Sequence, residues 1–102
     1  VVAPATGFAL ARGLELPQIE PIVEALPPLP SVPAPARANF DGITAGYFQL
    51  DRVGPEPSPA MHVNTATSEE ANLQATHFLE TWLADEAEIL DPYAVLGTPP
   101  LP

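Results

Sequence analysis

Cysteine is absent from the 102-residue chain, and with it go disulfides, thiolate nucleophiles and sulfur-based metal sites. Lysine is absent too: Arg12, Arg37 and Arg52 are the only fixed cations against thirteen carboxylates, for a net charge of −10. Nucleic acid and anionic membrane surfaces are bound through a basic footprint, which this chain lacks. A basic protein partner remains compatible with that balance. No apolar run approaches the roughly 20 residues that span a bilayer. Glycine-rich phosphate loops are missing, and no nucleophile elbow accompanies any serine. A first residue other than Met fits a processed or trimmed product.

What the chain does have is proline, fifteen residues of it, together with 46% hydrophobic and only 16% charged residues. Disordered chains usually show the reverse balance, with few apolar residues and much charge. Each proline removes a backbone donor and fixes φ, which favours extended or polyproline II segments over a compact core. A chain that is sticky but poorly able to fold its apolar residues inward is expected to lay them on another protein. The expected fold class is therefore a mostly irregular, extended proline-rich chain with one long C-terminal amphipathic α-helix over about 68–90. A short β-hairpin pairs 46–53 with 61–65. If the chain folds alone, the same elements make a small α+β domain.

The expected organisation is a proline-rich arm with short helical turns over 1–39, a hairpin region over 40–66, the helix over 67–91 and a proline-rich tail over 92–102. Within the arm, Thr6 reads as the cap and Gly13 as the stop of a one- to two-turn helix. Pro21 suits the first turn of another short helix, ending near Leu26. Residues 27–35, PPLPSVPAP, read as a polyproline II spacer. Asp41-Gly42 is a turn signal, and residues 46–53 alternate as a strand does before Gly54-Pro55-Glu56-Pro57 breaks the run.

The long helix has the strongest pattern. Thr67 with Glu70 three residues on forms a capping box, and Glu69 and Glu70 suit the positive end of the macrodipole. Ala71, Ala75, Phe78, Leu79, Trp82, Leu83, Ala87 and Leu90 recur at spacings of three and four, and Asp91-Pro92 ends the run. The large residues of that stripe are each worth about 1.5–3 kcal/mol on full burial. The remainder of the chain offers little to cover them. Phe78, Leu79, Trp82, Leu83 and Leu90, with Glu86 beside them and Tyr47 and Phe48 from the strand, are therefore the expected partner-binding residues.

Other constellations carry less. Asp85, Glu86, Glu88 and Asp91 form an acidic run that reads as a solvated face or as a contact for basic residues of a partner; it lacks the loop geometry that wraps a divalent cation. His77 and Glu80 stand in the reverse order to the Glu-x-x-His pairs of di-iron bundles. Ser58, His62 and Asp51 can be written as a hydrolase triad, as can a trio in almost any short chain. PPLP occurs twice, at 27–30 and 99–102, a type of motif that some WW domains read. Neither a catalytic residue nor a cofactor or metal site is expected.

The function expected on these grounds is a non-enzymatic accessory subunit, present in several copies, that clamps or cements a larger assembly. A virion or phage cement or minor structural protein is slightly favoured over a peripheral subunit of an enzyme complex. The alternatives are a small self-folding α+β binding or inhibitor domain, and the cleaved small chain of a processed enzyme.

Overall fold

Gln18 organises the proline-rich first third of the chain. In the computed structural model, which describes residues 4–102, Gln18–Ile19 (β1) pairs in parallel with Ser31–Val32 (β2). Of residues 4–8 and His62 only the backbone is described. The buried Gln18 amide closes the connection between the two strands. Its Oε1 accepts from the Leu26 N–H at 2.7 Å, and its Nε2 donates to the Leu29 carbonyl at 2.8 Å. Pro27, Pro28 and Pro30 have no N–H with which to build such a turn, so a side chain supplies the missing hydrogen bonds.

These contacts correct the extended arm. The polyproline spacer over 27–35 is instead a turn followed by a paired strand, and the short helix expected from Pro21 to near Leu26 is a run of bends after β1. Tyr47 adds a third segment beside β1, with Ile19 N donating to Tyr47 O at 2.9 Å and Tyr47 N to Pro17 O at 2.8 Å. The helix expected near Thr6 is α1, Pro4–Gly13; it begins before Thr6, whose side chain lies outside the described residues. The radius of gyration is 13.4 Å, close to the roughly 13 Å of a compact chain of this length. The chain is thus a small α+β-like fold.

The hairpin is displaced from its expected place. Arg52–Val53 (β3) pairs antiparallel with Ser58–Pro59 (β4), Val53 opposite Ser58, because Gly54 at φ 92° and the prolines after it turn the chain at once. Residues 61–65 are no strand: His62–Thr65 is a helical turn (α2), nucleated by Asn64, whose Oδ1 accepts from the Met61 N–H at 2.7 Å. Asp41-Gly42 does form a tight turn, with φ of 53° and 84° and reciprocal bonds between Phe40 and Ile43 of 2.8 and 3.0 Å, the geometry of a type I′ hairpin.

The long helix is shorter than its stripe. It runs over Glu69–Leu83 (α3), and its cap is Ser68, whose Oγ accepts from Ala71 N at 3.1 Å, not Thr67. Glu70 leaves the expected capping box and turns inward. At the other end Asp85 takes φ 61°, Glu86 N bonds Thr81 O at 2.8 Å and Asp85 N bonds Trp82 O at 3.0 Å. That is a Schellman close, with Asp where Gly is usual. Three acids within four residues oppose the negative end of the macrodipole, which explains why the helix does not continue. Asp85→Gly is expected to raise stability by about 0.5–1 kcal/mol, by relieving the left-handed backbone and removing a misplaced charge; urea titration measures it.

Past that stop the chain runs back extended, and Ile89 pairs with Ala36 in both directions, at 2.9 and 3.0 Å. Ile19, Ala36 and Ile89 form the buried core, with Val32, Ala34, Phe48 and Phe78 packed on it. The expected proline-rich tail begins instead with a short helix. Asp91 caps Pro92–Leu96 (α4), accepting from Tyr93 N at 2.9 Å, and Gly97 at φ 70° ends it. Asp91-Pro92 therefore starts a helix instead of ending one, with proline at its favoured first position.

A candidate docking surface

The residues singled out along the apolar stripe part company in the fold. Leu90 is buried, and Phe78 and Phe48 are half-buried against the core. Phe48 also lies 6.1 Å from the Tyr93 ring, centroid to centroid. Tyr47 is half-buried, and its phenol pKa is raised by that burial. With Phe78, Gln74, Gly46 and Ile89, Tyr47 and Phe48 line a largely apolar cavity of about 560 Å³ between α3 and residues 44–48. These four aromatic and aliphatic residues serve the interior.

Leu79, Trp82 and Leu83 face outward, at 56, 58 and 77% exposure. Their three- and four-residue spacings put them on one side of α3. Trp82 also borders a groove of about 360 Å³, whose other walls include Ile43, Asp85, Glu86 and Arg37. Ile43 at the hairpin end is itself 66% exposed. Thr44 fixes the two walls relative to each other: its Oγ1 donates to Ala87 O at 2.7 Å and accepts from Ala38 N at 2.8 Å. The groove is thus built from three stretches of chain held by one hydroxyl. Ile43 and Arg37 had no sequence signal connecting them to Trp82, because only the long-range Ala36–Ile89 pairing brings them near.

Behind the groove, Glu88 accepts from Arg37 Nε at 2.7 Å and lies 2.8 Å from His77 Nε2. Hydrogen bonds from His77 and Arg37 hold the Glu88 carboxyl below its ordinary pKa, and the same contact raises that of the Arg37 guanidinium. His77 is therefore partnered by Glu88, not aligned with the exposed Glu80 as a ligand pair. Among the described residues no group of three or more His, Asp and Glu is placed to hold a metal ion. Asp51 bonds Arg52 Nη1 at 2.8 Å and Ser58 is exposed in β4. The third member of that trio, the His62 side chain, lies outside the described residues.

The second polar centre is structural. Glu70, 2% exposed, accepts from Thr98 Oγ1 at 2.7 Å and Gly54 N at 3.1 Å. Arg52 lies 3.8 Å over the Tyr93 ring and donates to the Pro99 and Thr98 carbonyls. Tyr93 Oη in turn donates to Arg52 O at 2.9 Å and accepts from Asp51 N at 2.9 Å. Burial raises the Tyr93 pKa. These groups tie the β3–β4 turn, α3 and the C-terminal residues together. Among the described residues no helix is long and apolar enough to cross a membrane. No protein-family model, curated protein or solved structure matches the chain.

Proposed function

We propose that this chain is a non-enzymatic accessory module that docks onto a larger protein assembly, as a cement or minor structural protein of a virion or a peripheral subunit of an enzyme complex would. The observation that carries the reading is the exposure of Leu79, Trp82 and Leu83 side by side on α3, next to Ile43. Single exposed apolar residues need no explanation, whereas a contiguous group containing tryptophan resembles an interface centre. The carboxyls with shifted pKa values, Glu70 and Glu88, are engaged in hydrogen bonds that hold the fold, which also favours docking over chemistry.

The compact radius of 13.4 Å alters how such a module would work. It favours a preformed body that presents a face over a strap that orders on binding, and it equally suits a self-sufficient binding or inhibitor domain. A photo-crosslinking amino acid placed at position 82, compared with the exposed position 56, tests docking in the native source. The expected result is one dominant adduct from 82 and none from 56; recovery in a large particle indicates the assembly role, and a soluble complex with one partner indicates the inhibitor role. Equal labelling from both positions, or none from either, would refute the docking face.

A further inference from the structure

We infer that the occupant of the Trp82 face is a basic amphipathic segment of a partner protein, seating an apolar anchor against Trp82 and Leu83 and a Lys or Arg against Asp85 and Glu86; this rests on the docking reading above. The argument begins with unbalanced charge. Asp85 and Glu86 line the groove beside Trp82, and both are exposed. The groove's one cation, Arg37, is already hydrogen-bonded to Glu88 at 2.7 Å. Glu86 acts on Arg37 only through its field, and Asp85 forms no ion pair among the described residues. Glu80, one position round α3 from Leu79, and Asp41, next to the hairpin end, add further exposed carboxylates.

The same charges decide against other occupants. A second copy related by a two-fold axis would present the same patch, so the Asp85 and Glu86 carboxylates of both copies would share one interface in a molecule of net charge −10, with no cations brought to balance them. Nucleic acid and anionic lipid are repelled for the same reason. An acidic or neutral protein surface would leave the carboxylates beside Trp82 desolvated without partners, which is costly. A cation solves this twice over, since it pairs with the carboxylates and is attracted by the indole face. The apolar half of the same segment covers Leu79, Leu83 and Ile43, which no charge alone would do.

The chain's single tryptophan reports on this directly, because Trp82 is the residue at the face. The probe is a Leu/Lys amphipathic peptide of about 18 residues, about five helical turns, titrated into the full chain and compared with a Leu/Glu peptide of the same pattern. The expected result is a blue shift of Trp82 emission with the Leu/Lys peptide alone, weakened by salt. Asp85→Asn with Glu86→Gln removes both charges, and Asn tolerates the left-handed backbone at 85. That variant is expected to bind about tenfold or more weakly, whereas Glu20→Gln with Glu56→Gln, an equal change of charge elsewhere, shifts affinity less than about twofold.

Equal losses in the two double variants, or an equal blue shift with the Leu/Glu peptide, would overturn the basic occupant. So would sedimentation of the chain alone as a dimer with Trp82 emission already blue-shifted. If no peptide moves Trp82 while crosslinking from position 82 still captures one partner, the inferred chemistry is wrong and the docking face stands. If both experiments fail, the docking reading falls with it.

Discussion

Replacing Glu70 by Ala is expected to destabilise the chain by about 2–4 kcal/mol, read as a fall in Tm of more than about 10 °C. The carboxylate is 2% exposed and satisfies two donors at once, the Thr98 hydroxyl at 2.7 Å and the Gly54 N–H at 3.1 Å. Its removal strands both donors and opens the joint between the β3–β4 turn, the start of α3 and the C-terminal residues. Glu70→Gln keeps one acceptor and is expected to cost less. The effect carries a pH signature. Burial alone would raise the Glu70 pKa, but hydrogen bonds from Thr98 and Gly54, with the charge of Arg52, overturn that and hold it below its ordinary value. Glu88 is lowered in the same sense by His77 and Arg37.

A carboxyl whose folded pKa is depressed contributes stability that is fully present above the ordinary glutamate value of about 4.3. That contribution is lost as pH falls through the lower folded value. The native chain should therefore lose stability on acidification below the ordinary glutamate range, and Glu70→Ala should flatten part of that slope. Chemical denaturation at a series of pH values measures both. An unchanged slope in the variant would mean that Glu70 is not the buried acceptor described above.

Features that depend on neighbours in sequence were legible before the structure, and features that depend on distant partners were not. The spacing of Phe78, Leu79, Trp82 and Leu83 marked a helix, and Asp41-Gly42 marked a tight turn, because both are local consequences of backbone geometry. The stripe continued to Leu90 only on paper: once Ile89 pairs with Ala36, burial of Ile89 and Leu90 in the core outweighs one more turn of helix. The prolines were legible as breakers but not as parts of a compact body. That outcome depends on the Gln18 amide reaching Leu26 and Leu29, a side-chain clasp with no periodicity to announce it. Likewise half the candidate surface, Trp82 with Leu79 and Leu83, could be read from the helix. Ile43 and Arg37, the other wall, come from a hairpin and a bridge that no local pattern places beside it.

Ile19→Ala is expected to have the largest effect of any single apolar substitution in the core, about 2–5 kcal/mol. Ile19 is 1% exposed and packs with Ala36 and Ile89 where β1 meets the returning chain. Gly46 presses against it from the Tyr47 segment: a Cβ at position 46 would collide with Ile19 Cγ1 and Cδ1 and lie 3.3 Å from the Pro17 carbonyl. Gly46→Ala is therefore expected to cost about 1–3 kcal/mol by overpacking. The two sites are coupled, so Ile19→Val with Gly46→Ala should be more stable than the sum of the single changes predicts. Strict additivity would show that the two residues do not touch. Trp82→Ser provides the contrast, because an exposed side chain contributes little to the fold and its loss should stay within about 0.5 kcal/mol. If Trp82→Ser instead destabilised as Ile19→Ala does, Trp82 would belong to the core and could not be the surface that a partner covers. A fold that depends on Ile19 and tolerates loss of Trp82 is one that can keep an apolar face in reserve for another protein.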